Sequence, residues 1–209
     1  MNFHPEEKWI DWVDQLSEHD FVVIDEFITN DLYLQLRNFL TKKLDQDAFE
    51  RAGIGSILNN TLDTTIRGDF THWIDKARDK EISVVFDLIE EVKLTLNRLC
   101  YLSLSGYEFH LAYYPEGTFY KRHVDQFKER SNRMISMIIY LNEGWKKGDG
   151  GELKIFREND ELIIDPIARR CVMFKSAEVP HEVMQTNVGR YSLTGWLLYQ
   201  PSGVGFVLG

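Results

Sequence analysis

The sequence predicts an α+β fold in which supporting helices come first and an all-β half follows. Three observations carry this. Up to about residue 105 the apolar residues recur mostly at helical spacing, interrupted by one strand-like run. From Gly106 the texture changes to short apolar or alternating runs. Clusters of Gly, Asn and Asp divide those runs, as turns would.

The elements follow in order. Residues 5–18 read as an amphipathic helix with Trp9, Ile10, Trp12, Val13 and Leu16 on one side. Phe21–Phe27 is a strand. Asn30 or Asp31 is placed to cap a helix running to about Leu44, with Leu32, Leu34, Leu36 and Leu40 mostly inward. Residues 45–69 show no clear period and contain Gly53 and Gly55, so they read as a loop or lid. Asp79 opens a long helix to about Leu102, on which Ile82, Val85, Phe86, Leu88, Ile89, Val92 and Leu96 recur at helical spacing. Strands are expected over 107–114, 118–124, 133–141, 151–156, 160–165, 169–174, 180–185 and 190–199. About eight strands so spaced suggest a sandwich or a jelly roll.

A chain of 209 residues suggests one domain. Residues 1–105 would be a helical buttress with the first strand and the lid loop, and residues 106–209 the β core. With 24 basic and 33 acidic residues the net charge is −9, which disfavours a broad phosphate-binding surface and so nucleic acid. Cys100 and Cys171 have no CxxC or CxxxH context and read as buried thiols of a reducing compartment. The N-terminus lacks a basic, then apolar, leader, and no run approaches a membrane span, so a cytoplasmic address without membrane contact is expected. The sequence does not speak to the oligomeric state.

The chemistry is concentrated in His123-Val124-Asp125 and a later His181. Two imidazoles and one carboxylate on one face of a non-haem Fe(II) leave the opposite positions open for a cosubstrate and O2. Residues two apart on a strand point the same way, so His123 and Asp125 would project together while a partner strand supplies His181. Arg190 stands at the start of the apolar run Tyr191–Leu198. A buried guanidinium needs a carboxylate or phosphate partner, and the far carboxylate of a metal-chelating 2-oxo acid is the obvious candidate. His4, His19, His72 and His110 have no partner at ligand spacing and read as structural or exposed. Arg133 and Tyr140 are seven residues apart, so on one regular strand they would face opposite ways.

These motifs, in order, are Tyr114-Pro115-Glu116-Gly117, Tyr120-Lys121-Arg122-His123-Val124-Asp125, Arg133 before Tyr140-Leu141-Asn142, Gly150-Gly151, Pro180-His181-Glu182-Val183 and Gly189-Arg190-Tyr191 with Thr194 and Trp196. Together with Ile66-Arg67-Gly68-Asp69 and Trp73, they resemble the prolyl-hydroxylase branch of the Fe(II)/2-oxoglutarate oxygenases. The likeness is strongest to the hypoxia-inducible-factor prolyl hydroxylases and their bacterial relatives.

The resemblance implies a double-stranded β-helix (jelly roll) carrying Fe(II) on His123, Asp125 and His181. It implies 2-oxoglutarate on Arg190, with Tyr140, Thr194 and Tyr114 completing the pocket. Arg67, Asp69, Trp73, Arg133 and Trp196 would shape the substrate entrance, and Asp69 could pair with Arg133 to tie a lid over 45–69 to the barrel. O2 is the second cosubstrate and ascorbate a supporting reductant. A carboxylate at 125 favours hydroxylation over the halogenation of related enzymes that have a small residue there. The first reading is hydroxylation of a prolyl residue in a protein or peptide, and bacterial relatives act on a translation factor. The alternatives are hydroxylation of a free amino acid or small metabolite, and a non-catalytic metal-binding jelly roll that only recognises a partner. Nucleic-acid demethylation is disfavoured, because Trp196 stands where that branch carries a second arginine. Gln126–Asn132 replaces a glycine-rich turn of the animal enzymes.

Overall fold

The computed structural model describes residues 2–53, 63, 65–126 and 132–199. Three helices precede most of the strands. Helix α1 (Glu6–His19) has Glu6 and Glu7 in its first turn, where carboxylates oppose the helix dipole favourably, and stops at Asp20 in a left-handed conformation. It buries Trp9, Trp12 and Leu16, while Ile10 is 48% exposed, one step off that stripe. Helix α2 (Asn30–Asp45) is capped by Thr29, not by Asn30 or Asp31: the Thr29 hydroxyl accepts the Leu32 N–H at 3.3 Å. Leu32, Leu36 and Leu40 share its buried face, and Leu34, two residues from Leu32 and Leu36 and so off that face, is 46% exposed. Helix α3 (Ser83–Cys100) begins after a 3-10 turn at Lys80–Ile82. Asp79 does not cap it; its carboxylate is taken by Arg78 and by the Asp75 N–H.

Eleven strands are described: β1 (Phe21–Ile24), β2 (Glu50–Arg51), β3 (Phe70–Trp73), β4 (Leu104–Tyr114), β5 (Tyr120–His123), β6 (Arg133–Tyr140), β7 (Leu153–Phe156), β8 (Glu161–Ile164), β9 (Cys171–Lys175), β10 (His181–Val183) and β11 (Arg190–Tyr199). The eight strands expected after Gly106 all form. Within the segment expected to be a loop, β2 is a strand, and β3 directly follows it. The remainder of the lid expectation, residues 54–62 and 64 with Gly55, lies outside the described residues, as does 127–131 of the Gln126–Asn132 turn.

The strands make two antiparallel sheets, one of seven strands in the order β1-β9-β6-β11-β4-β3-β2 and one of four in the order β5-β10-β7-β8. Strand alternation sorts the large sheet into two faces. Phe109, Leu111, Ile135, Met137, Ile139, Leu193 and Leu197 pack against the three helices. The intervening Ala112, Tyr114, Ile138 and Tyr140 turn instead toward Leu153, Ile155 and Val183 of the small sheet. The helices therefore pack on one side, which lets the other side face a second sheet. Among the described residues no helix is long and apolar enough to cross a membrane.

One irregularity changes the parity. Leu197 pairs with Ile135 but Leu198 pairs with Arg133, so Met134 is an extra residue on β6. Met134 packs with Ile135 toward the helices, and Arg133 is returned to the face that carries Tyr140. A regular strand would have separated the two. Arg67 also bridges Tyr120 of the small sheet, while β3, three residues on, pairs with β4 of the large one. Residues 66–73 thus cross from one sheet to the other at the edge of the interior.

Candidate metal centre

His123 and His181 are directly opposite each other on β5 and β10, and their rings are 4.3 Å apart. Each ring is oriented from behind. His123 Nδ1 lies 2.7 Å from the Lys121 carbonyl, and His181 Nδ1 lies 3.0 Å from the Val179 carbonyl. A carbonyl only accepts, so both Nδ1 atoms carry a proton and both Nε2 atoms are left to face inward. Burial pushes His181 down to about 4, against the opposing pull of Asp125, so its imidazole is neutral at pH 7.

Asp125 is not on the strand. Strand β5 ends at His123, and the backbone N–H of Asp125 donates to the Ser176 carbonyl at 3.1 Å. Its carboxylate reaches the histidines all the same: Oδ1 is 3.4 Å from His123 Nε2 and 3.8 Å from His181 Nε2. The ligand atoms of the three side chains lie within 4.8 Å of one another. Burial alone would raise the Asp125 carboxyl. In the acid range where it titrates, the charge on His181, then His123, and the Ser136 hydroxyl outweigh burial and hold the group well below the usual carboxylate range. Two imidazoles and one carboxylate on one side of a common point could hold a divalent cation with its far side open.

Arg190 opens β11 opposite Tyr114 and is buried. Its Nε donates to the Gly151 carbonyl at 2.8 Å, and its guanidinium carbon lies 4.9 Å from the Tyr114 ring and 5.2 Å from the Tyr140 ring. Among the described residues no carboxylate forms an ion pair with it. The nearby Tyr140 hydroxyl is buried and finds no acceptor for its proton. Burial pushes Tyr140 up to about 12, so it stays a donor. A buried guanidinium with no carboxylate partner, beside a phenol hydroxyl with no acceptor, fits the carboxylate end of a 2-oxo acid. Gly151 makes room for this: at φ +76° a Cβ there would sit 2.8 Å from Arg190 Cδ.

These groups surround one cavity of about 440 Å³, of a size that takes a small ligand. The triad, Arg190, Tyr114 and Thr194 line it, as do Arg67, Trp73, Arg133 and Trp196. Asp69 and Tyr140 stand behind that wall. The expected Asp69–Arg133 pair does not form. Asp69 holds Arg67 through two bonds of 2.7 and 2.6 Å, and Arg133 holds Glu108 at 2.6 Å while its guanidinium lies 3.4 Å over the Trp196 ring. The reason is local: Asp69 is two residues from Arg67 along the chain, whereas Glu108 and Arg133 flank Trp196 and its neighbour on β11 from the two adjacent strands.

Sequence reasoning missed two cavity residues, His110 and Tyr120, and one buried residue behind the triad, Ser136. His110 is 4% exposed and lies between Trp73 and Trp196, at 4.8 and 5.6 Å, with its Nδ1 unpartnered. Burial, then Arg67, drive it down to about 3, so it is neutral. Its signal was available, since His110, Ala112 and Tyr114 alternate onto one face of β4. Tyr120 stacks on the His123 ring at 3.6 Å, with Arg67 4.3 Å over it. Ser136, on the inner face of β6, donates to Asp125 at 2.6 Å.

The comparisons with known proteins agree with this site. The family model described as the 2OG-Fe(II) oxygenase superfamily matches residues 109–198. Human Egl nine homolog 1 is 29% identical over 196 residues, covering 87% of this chain and 44% of that protein. Human prolyl hydroxylase EGLN3 is 36% identical over 144 residues, covering 63% of this chain and 58% of that one. The chain thus spans about half the length of the curated relatives it matches. Among solved structures, a Pseudomonas putida prolyl-4-hydroxylase superposes with a TM-score of 0.83 at 34% identity, over 92% of this chain and 99% of that one. A Trichoplax adhaerens prolyl hydroxylase, solved with a hypoxia-inducible-factor oxygen-degradation-domain peptide, gives 0.82 at 27% identity over 92% and 90%. The fold is the jelly roll of those enzymes, and the family works with Fe(II), 2-oxoglutarate and O2. With a third of its residues shared across nearly the whole of the bacterial enzyme, the chain belongs to the Fe(II)/2-oxoglutarate oxygenases of the prolyl-hydroxylase branch.

Proposed function

We propose that this chain is a 2-oxoglutarate-dependent dioxygenase, prolyl 4-hydroxylase-like, that hydroxylates a prolyl residue of a protein or peptide. The observation that carries the reading is the shared cavity. It brings the triad of His123, Asp125 and His181 together with Arg190, backed by a Tyr140 hydroxyl that lacks an acceptor. We take residues 1–209 as one oxygenase domain.

Bound Fe(II) and 2-oxoglutarate supply oxidative decarboxylation to succinate and CO2 together with insertion of one oxygen into a C–H bond. The protein's share is placement. His123, Asp125 and His181 hold the metal from one side. Arg190 and Tyr140 fix the far carboxylate of the cosubstrate, with Thr194 and Tyr114 beside it. The helix-backed sheet excludes water behind them. Trp73, His110 and Trp196 give an apolar wall suited to a proline ring, and Arg67 and Arg133, each already neutralised by a carboxylate, frame the entrance. A macromolecular substrate agrees with the crystallised Trichoplax relative, which holds a peptide. We further propose a translation factor as that substrate and the cytoplasm as the compartment, where the free thiols of Cys100 and Cys171 stay reduced.

The test is direct. The protein is incubated with Fe(II), 2-oxoglutarate and ascorbate in a cell lysate, and peptides are searched for a gain of one oxygen. A gain on prolyl residues, matched by succinate, is expected. Succinate formed only with free amino acids would favour the small-metabolite reading, and no succinate under any condition would leave a binding module.

A further inference from the structure

We infer that Ser136 and Ser176 are positioning residues of the metal site, a two-hydroxyl relay that occupies one oxygen of Asp125 and leaves the other to the metal. The inference rests on the metal-site reading above. Asp125 lies beyond the end of β5, so no strand ladder fixes its side chain. Its own N–H and that of Gln126 both donate to the Ser176 carbonyl, at 3.1 and 3.2 Å. Its Oδ2 accepts from Ser136 Oγ at 2.6 Å, and Ser136 Oγ lies 2.9 Å from Ser176 Oγ. Both serines are fully buried.

The direction of the relay follows from proton counting. An ionised carboxylate only accepts, and a serine hydroxyl has one proton to donate. Ser136 gives that proton to Asp125, so the bond between the serines must run from Ser176 to Ser136. Each bond in such a chain polarises the next. The Ser136 bond opposes turning of the carboxylate to offer both oxygens, and Oδ1 is the oxygen that approaches His123 and His181, at 3.4 and 3.8 Å.

The fold supplies these groups from the large sheet although the histidines belong to the small one. Ser136 reaches the interior by strand alternation with Ile138 and Tyr140, and Ser176 directly follows β9, the neighbour of β6. The relay is therefore the point at which the large sheet fixes a ligand whose two partners the small sheet holds.

The full-length, metal-free protein is titrated with Co(II), followed by calorimetry and by the visible absorption of the bound ion. Ser136→Ala should weaken Co(II) binding by about 10- to 100-fold, the usual cost of losing a group that orients a ligand. Its absorption should also change, as the freed carboxylate offers a second oxygen. Ser136→Thr keeps the hydroxyl and should return both affinity and spectrum to near wild type. Ser176→Ala leaves the Ser136 bond intact and should cost less. A folded Ser136→Ala variant with wild-type affinity and spectrum overturns the relay alone, as does a folded Ser136→Thr variant that behaves like Ser136→Ala. If Ser136→Ala does not fold, unchanged Co(II) affinity in Ser176→Ala overturns it. A wild-type protein that takes up no Co(II) overturns the metal-site reading and the relay with it.

Discussion

Arg190 shows how much one buried side chain decides. Its guanidinium is isolated from every described carboxylate, yet it is buried at the start of a central strand. That arrangement is costly unless an anion arrives. Arg190→Ala should raise the apparent 2-oxoglutarate requirement by roughly 30- to 150-fold, corresponding to about 2–3 kcal/mol for a charged hydrogen-bonded contact. The melting temperature should change much less, and pyruvate should not replace 2-oxoglutarate in the wild type. Saturation kinetics with both acids check this, and equal use of pyruvate would remove Arg190 from the role.

Tyr140 adds a pH signature. Its folded pKa is raised to about 12 by burial, from an ordinary value near 10. The folded state therefore holds the phenolic proton more tightly than the unfolded state does. The associated stability is fully present below pH ~10 and is lost as the pH rises toward 12, on the order of 2–3 kcal/mol. Tyr140→Phe should flatten this loss in denaturant titrations between pH 9 and 12, while weakening 2-oxoglutarate binding several-fold at pH 7. A variant with the wild-type alkaline profile would contradict the burial argument.

Most of these residues were legible in the sequence because the chemistry constrains residue types. His123, Asp125, His181 and Arg190 do meet in one cavity, although Asp125 reaches the histidines from beyond the end of β5 and not by strand alternation. His110 was not found because a lone histidine carries no ligand partner in sequence, and only the strand's alternation reveals its side. The Asp69–Arg133 pair was wrong because opposite charges along a chain do not identify which neighbours a fold supplies.

At the scale of elements, the site depends on two departures from regular structure. The extra Met134 on β6 lets Arg133 share a face with Tyr140, which strand periodicity forbids. The second departure is the Gly150-Gly151 turn before β7, with both residues at positive φ. A Cβ at 150 would sit 2.4 Å from the Gln185 carbonyl oxygen, and one at 151 would meet Arg190 and Thr186. Gly151→Ala should destabilise the protein by about 1–3 kcal/mol, the range for a strained left-handed residue. It should also raise the 2-oxoglutarate KM by displacing Arg190. Thermal melts and saturation kinetics read the two effects separately, and a change in stability with unaltered KM would show that Arg190 tolerates the shift. Long elements were legible from their periods. The strands β2 and β3 were not, because they lie outside the turn-divided run after Gly106 and their pairing depends on partners remote in sequence.

For the whole molecule, a division of labour explains the architecture. Three helices and one face of the large sheet make an apolar block, and the other face with the small sheet makes a second core that opens into the cavity. The net charge of −9 does not describe the cavity, where Arg67, Arg133 and Arg190 converge. On the proposed function, this cavity couples 2-oxoglutarate consumption to oxygen insertion at a prolyl residue through the His123, Asp125 and His181 triad. The most direct measurement is succinate formed per prolyl oxygen gained, in wild type and in His181→Ala, with Fe(II) and 2-oxoglutarate supplied. Near-equal yields of the two products are expected in the wild type, and neither product in the variant. A His181→Ala protein that binds metal and turns over 2-oxoglutarate as the wild type does would contradict that function.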